Sequence, residues 1–279
     1  MIDLDVIGKK YGPRSFEYTW KDTVLYALGI GAQAEELSFI YENVKGGLKV
    51  FPSFCVVMGS PLFKELFKDM KNVDFSRFIH GEQVIKLYRL IPPQGKTLVE
   101  GGITNIYDKG KGALYVWRMK VMTEMGELLA EAESGIFYVG EGGFDGDPGP
   151  KTEALEPPKG AEPDFTASYF IPGNQAALYR LSGDINPLHV DPDFAKIGGF
   201  PRPILHGLCT YGYAVRAILY KACDGEVERL KEFKARLSGV VYPGDSLVTE
   251  GWMDEGGRYL IRARTDRGVA LSHAYARVE

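Results

Sequence analysis

At 279 residues, with 45% hydrophobic and 25% charged residues, the chain has the make-up of a soluble globular protein, long enough for one large domain or two of middling size. A net charge of −4 and a pI of about 5.7 argue against a nucleic-acid or membrane partner and leave room for a small anionic ligand held by a local basic patch. Cys55, Cys209 and Cys223 show no CxxC spacing and sit among apolar neighbours, which suits buried thiols in a reducing compartment and not a disulfide framework.

The first residues, MIDLDVIGKKYG, lack the apolar run of an export signal, and no stretch is apolar enough to span a membrane, so a cytoplasmic location is expected. The C-terminal YARVE carries no peroxisomal or retention signal as it stands. In chain order, VLYALGIGAQAEE at 24–36 opens the first half, and FPSFCVVMG at 51–59 is a proline-marked, helix-compatible run. Ser60 and Pro61 then start an amphipathic segment with Leu62, Phe63, Leu66, Phe67 and Met70 on one face; it suits a packed core helix or the wall of an apolar cavity. Strand-like segments follow, KTLVEGGITNIYD, GALYVWRMKVM and ELLAEAESGIFYV, separated by KGKG and TEMG turns.

Residues 140–164, crowded with Gly, Pro and acidic side chains, predict an exposed linker between an N-terminal unit, 1–139, and a C-terminal unit, 165–279. The second unit repeats the order of the first. Leu25, Tyr26 and Leu28 align with Leu178, Tyr179 and Leu181; RPILHGLCTYGYAVRAILYKAC supplies the helical run; and DSLVTEGWMD, RYLIRARTD and VALSHAYARV supply the closing strands. Each unit therefore reads as one helix wrapped by an antiparallel sheet, an α+β fold.

The repeat is unequal. Where the second half carries Asp184, Asn186 and His189, the first carries Gly31, Gln33 and Glu36. Singly, Asp184 suits a turn cap, Asn186 a turn former before Pro187, and His189 a satisfied core histidine. Together they place an acid and a base on one irregular loop, as general acid–base chemistry requires. The acidic run Asp184, His189, Asp191, Asp193 lacks the glycine and terminal glutamate of a calcium loop and the second His or Cys of a zinc site, so no metal is expected. Asp191, Pro192 and Asp193 instead start a short helix stopped by Gly198 and Gly199. Downstream, Gly207 opens the apolar helix, where free amides can hold an oxyanion; a small residue for packing is the plainer reading. His206 beside it suits packing, hydrogen bonding or catalysis, while His80 and His273 have no clustered partners in the sequence.

YRLSGDINPLHVDPDFA and GFPRPILHGLCTYGYAVRA resemble the hydratase 2 motif of MaoC-like, R-specific enoyl-CoA hydratases. YTWKDTVLYALGIGA is similar to the opening of the two-repeat members, among them the hydratase domains of peroxisomal multifunctional enzymes. The resemblance spans nearly the whole chain. It implies a double hot-dog fold and reversible hydration of trans-2-enoyl-CoA to (3R)-3-hydroxyacyl-CoA, without a cofactor beyond the CoA of the substrate. It assigns Asp184 and His189 as the acid/base pair, Asn186 as their helper, Gly207 as the oxyanion amide, and the N-terminal repeat as the wall of an acyl-chain cavity. Arg180, Lys196, Arg202, Lys234 and Arg236 are candidates for the CoA phosphates. A thioesterase on the same fold and a non-catalytic acyl-CoA binder remain the rivals. A peroxisomal setting is the alternative if the chain is one domain of a larger enzyme, and an exposed sheet edge makes a homodimer the expected assembly.

Overall fold

A computed structural model describes residues 3–70, 73, 74, 77–151 and 153–279. The first half runs β1 (Tyr11–Tyr18), α1 (Trp20–Gly29), α2 (Leu37–Ile40), a 3-10 helix (Pro52–Gly59) leading into α3 (Ser60–Asp69), then β2 (Phe78–Leu87), β3 (Gly95–Asp108), β4 (Gly112–Thr123) and β5 (Leu128–Val139). The second runs β6 (Phe165–Phe170), α4 (Gln175–Tyr179), α5 (Pro192–Ile197), α6 (Gly207–Ala222), β7 (Leu230–Leu237), β8 (Ser246–Met253), β9 (Arg258–Thr265) and β10 (Gly268–Val278).

All ten strands join one antiparallel sheet in the order β1-β3-β4-β5-β2-β7-β10-β9-β8-β6. Within each half the strands pair in the same sequence, first-third-fourth-fifth-second, so the topology itself is duplicated about the β2–β7 seam. There Glu82 pairs with Arg236 and Lys86 with Glu232. The sheet is longer than the sequence reading: β3, β4, β5, β8, β9 and β10 match predicted segments, whereas β1, β2, β6 and β7 were not anticipated.

The helices fill the inner face. α6 is apolar nearly all round, which only a helix enclosed by other elements tolerates, and Tyr211, Val215 and Ile218 are fully buried along it. Phe54, Met58 and Leu62, from the 3-10 helix and α3, occupy the corresponding place in the first half. Gly59 packs so closely on Met119 that a Cβ there would stand 2.7 Å from its sulfur. Phe67, expected on the apolar face of α3, is instead exposed, while Leu62, Leu66 and Met70 are buried.

The 140–164 segment has little regular structure, but it is held down. The Asp108 carboxylate accepts the Gly143 and Phe144 amides at 2.8 and 2.7 Å, the Trp252 indole donates to the Ala161 carbonyl, and Leu155 is buried. These partners come from strands distant in sequence, which is why composition alone showed an exposed linker and not its anchors.

Candidate active site

Asp184, Asn186 and His189 lie on the irregular stretch between α4 and α5. Gly183, with φ of +131°, makes the turn that exposes Asp184, a conformation an L side chain would strain. The Asp184 carboxylate accepts the Asn186 amide at 3.2 Å. Asn186 in turn caps the short 3-10 helix Pro187–His189, its Oδ1 accepting the Leu188 amide at 3.0 Å. The local hydrogen bonds thus fix the loop that the acid and base share.

His189 is buried at its root. Its Nδ1–H donates to the Ile204 carbonyl at 2.9 Å; since a carbonyl only accepts, the proton is on Nδ1 and the Nε2 lone pair is left as a base. Burial lowers the His189 pKa, so the ring is neutral near pH 7, with Asp184 pulling in the opposite direction. His206 stacks on it, ring centroids 3.6 Å apart and planes at 27°, and also packs against Tyr179, centroids 4.9 Å apart. One carboxylate oxygen of Asp184 and one ring nitrogen of each of these histidines lie within 4.8 Å of one another. Two groups that each hold the same water at ~2.8 Å with a tetrahedral angle stand ~4.6 Å apart, so a separation of no more than 4.8 Å is compatible with one water between Asp184 and His189.

Gly207 is the first residue of α6, directly after His206. The earliest bonds into the His206 carbonyl come from Cys209 and Thr210, at 3.1 Å each, so the Gly207 amide precedes the helical ladder and points out of its positive end. A Cβ at Gly207 would meet the Leu237 methyl at 2.7 Å, so a larger residue there would have to displace that side chain.

His80, without a partner in the sequence, is placed by β2 within electrostatic reach of Asp184. Its Nε2 lies 3.1 Å from the Glu82 carbonyl and its titration responds to the charge of Asp184, with burial lowering its pKa. His273 also has a neighbour, the Glu156 carboxylate, at 3.5 Å. Neither the reach of His80 to Asp184 nor that of His273 to Glu156 has a spacing signal, because the partners lie about a hundred residues apart in the chain.

The five cations divide. Arg180 stands close enough for its charge to lower the His206 pKa, and its Nε is buried with no hydrogen-bond partner among the described residues. Lys196 pairs with Asp193 at 3.2 Å, Arg202 donates to the Pro243 carbonyl at 3.0 Å, and Arg236 is held by Glu82 at 2.6 Å. Lys234 lines a groove of about 680 Å³ with Lys86 and Lys120, on the sheet face turned away from α6.

Asp184, His189 and His206 also have the residue types of a metal site. Their geometry fits one poorly. Lone pairs of two stacked imidazoles run side by side instead of converging on a point ~2 Å from both nitrogens.

The equivalent loop of the first half is closed off. Gly31, φ +84°, lies against the Tyr213 ring, where a Cβ would come within 2.4 Å; the Gln33 side-chain amide donates to the Gly31 carbonyl at 2.8 Å. Glu36 takes a two-pronged bond from Arg216 of α6, at 2.8 and 2.9 Å from Nε and 2.6 Å from Nη2. Where one copy presents an acid and a base, the other grips the central helix.

A duplicated sheet wrapped about two helices, with an Asp/His pair near one helix N-terminus, defines a double hot-dog protein whose second copy alone carries that pair. Residues 16–140 match the family model for the MFE-2 hydratase 2 N-terminal domain, and residues 154–269 match the MaoC like domain. A probable enoyl-CoA hydratase 2 of Dictyostelium discoideum is 37% identical over 98% of this chain and 95% of its own. Peroxisomal multifunctional enzyme type 2 of Drosophila melanogaster is 42% identical over 85% of this chain, which spans 42% of that longer protein. The crystal structure of a MaoC-like dehydratase from Phytophthora capsici superposes with a TM-score of 0.89 at 30% identity, covering 100% of this chain and 98% of that one. The chain belongs to the MaoC-like enoyl-CoA hydratase 2 family.

Proposed function

We propose that the protein is a hydro-lyase of fatty acyl-CoA metabolism that reversibly hydrates trans-2-enoyl-CoA to (3R)-3-hydroxyacyl-CoA, with Asp184 and His189 as its acid/base pair. The observation that carries the reading is the spacing of the Asp184 carboxylate and a His189 ring nitrogen, within 4.8 Å, in front of the α6 N-terminus. The thioester oxygen accepts the Gly207 amide, whose place at the positive helix end favours the negative charge of an enolate. Water held between Asp184 and His189 attacks Cβ and gives a proton to His189 Nε2, while the C=C electron pair moves toward the thioester. As the enolate collapses, Cα takes one proton from the Asp184–His189 pair, so the pair ends in its starting state. Oxygen and both hydrogens of one water are accounted for, and the step is redox-neutral, so it calls for no cofactor.

Asn186 serves by holding the loop, since its side-chain oxygen is spent on the Leu188 amide. Arg180, Lys196, Arg202, Lys234 and Arg236 are the candidates for the CoA phosphates, which the pantetheine arm carries away from the reacting thioester. The first half shapes the acyl side: α1 packs on α4 through Tyr26 and Tyr179, rings 6.1 Å apart. The peroxisomal naming of the multifunctional relatives favours that compartment for this chemistry. No described helix is long and apolar enough to cross a membrane.

The test follows the ultraviolet absorbance of the conjugated thioester with trans-2-enoyl-CoA of several chain lengths, and chiral analysis of the product. Loss of the enoyl signal with the 3R alcohol formed, and failure of Asp184→Ala and His189→Ala, is the expected result. An unchanged enoyl signal at every chain length would refute it, and release of free CoA would identify a thioesterase.

A further inference from the structure

We infer that His206 is the positioning residue that registers the acid/base loop against the oxyanion amide, by donating from Nε2 to the Asp184 main-chain carbonyl and stacking on His189. The inference rests on the hydratase reading and adds to it a third histidine with no proton-transfer role of its own.

Three contacts converge on this side chain. Its Nε2 lies 3.1 Å from the Asp184 carbonyl oxygen, so Nε2 carries the proton and donates. Its ring covers the face of His189 at 3.6 Å. Its own peptide leads straight into Gly207, and its carbonyl receives the first helical bonds of α6. One residue therefore ties together the acid, the base and the oxyanion amide, which otherwise belong to a loop and a helix separated in sequence.

The Asp184 end of the loop needs such a tie, since the bond from His189 to the Ile204 carbonyl holds only the other end. Asp184, Ile185 and Asn186 are exposed, and the hydrogen bond from the Asn186 amide to Asp184 lies within the loop, anchoring it to nothing else. His206, by contrast, is 1% exposed, and its Nδ1 is buried with no partner among the described residues. A ring so placed stays neutral, which keeps the Nε2–H tautomer and spares His189 a cation against its face. Reacting groups misplaced by ~1 Å lose on the order of 10² in rate, so a lost tether reads out in turnover before it reads out in binding.

The experiment compares three variants in the enoyl-CoA assay, each checked for folding by circular dichroism and thermal melting. His206→Gln carries its amide nitrogen near the place of Nε2 and keeps the donor; His206→Asn carries it near Nδ1 and does not; His206→Phe keeps the ring and removes the donor. The expected result is a 10- to 100-fold loss of kcat for Asn and Phe with KM within about threefold, and recovery to within about fivefold of wild type for Gln. Folded His206→Phe at wild-type kcat, or His206→Gln as slow as His206→Asn, would overturn the inference. If the Phe variant fails to fold, the Gln and Asn pair decides alone. Nitrogen-15 NMR of the wild-type histidines supplies an arm that needs no turnover: His206 should be the neutral Nε2–H tautomer at pH 6, and an Nδ1–H form would overturn the assignment. An inactive wild type with the expected tautomer would instead count against the hydratase reading.

Discussion

Replacing Glu36 by Gln tests whether the catalytically silent copy acts as a clamp on α6. The substitution keeps shape and volume but leaves the Arg216 guanidinium without its counter-charge, at a site where the two side chains are 5% and 10% exposed. Removing one partner of a buried pair costs ~3–5 kcal/mol, because the remaining charge is desolvated and uncompensated. The Tyr169 ring, 4.0 Å from the guanidinium, softens this without replacing a carboxylate. With an unfolding entropy of ~2.1 cal/mol/K per residue over the whole chain, that loss lowers Tm by ~5–9 °C. Urea unfolding and calorimetry of Glu36→Gln, Arg216→Met and the double variant measure it. The double variant should be more stable than Glu36→Gln alone, since it removes the stranded charge. At a temperature well below the melt, kcat should stay within about threefold of wild type, because the pair belongs to the copy without Asp184 and His189. A Glu36→Gln loss under 1 kcal/mol, or a double variant worse than the sum of the singles, would refute the clamp.

Asp184→Asn and His189→Gln should each lower kcat by ~10² to 10⁴, with the double variant little worse than either, as groups acting on one water do not add; steady-state kinetics on the enoyl thioester checks this. Because burial lowers the His189 pKa, the acid limb of kcat/KM should fall below the usual histidine range, as a pH–rate profile would show. Burial chiefly, with His189 alongside, holds His206 at about 4 against 6.5, so the unfolded chain takes up its proton first and stability is lost as pH falls from 6.5 toward 4. Between pH 7 and pH 5 this amounts to ~2 kcal/mol, visible as the difference in pH dependence between wild type and His206→Gln in urea unfolding. Gly31→Ala should destabilise by ~2 kcal/mol or more, since φ is +84° and the new Cβ meets the Tyr213 ring at 2.4 Å; thermal melting reads it directly.

By itself the sequence determined what local chemistry and repetition can carry. Alternating strands between glycine turns, the Asp191 cap of α5, the glycine opening of α6, and the Asp184, Asn186, His189 triplet are all written in neighbouring residues, where spacing and residue type act directly. The unequal repeat was legible for the same reason, as two copies of one pattern within one chain. What only the tertiary structure decided depends on groups far apart along the chain. β2 and β7 form the seam between the halves, yet FIHGEQVIKL and LKEFKARL mix charged and apolar positions because one sheet face meets the helices and the other meets water. Their pairing brings Arg236 to Glu82, an ion pair that composition alone did not show. His206 on His189, His80 near Asp184, and Arg216 locked to Glu36 across 180 residues are likewise consequences of chain folding, because no local spacing rule brings such side chains within reach of one another.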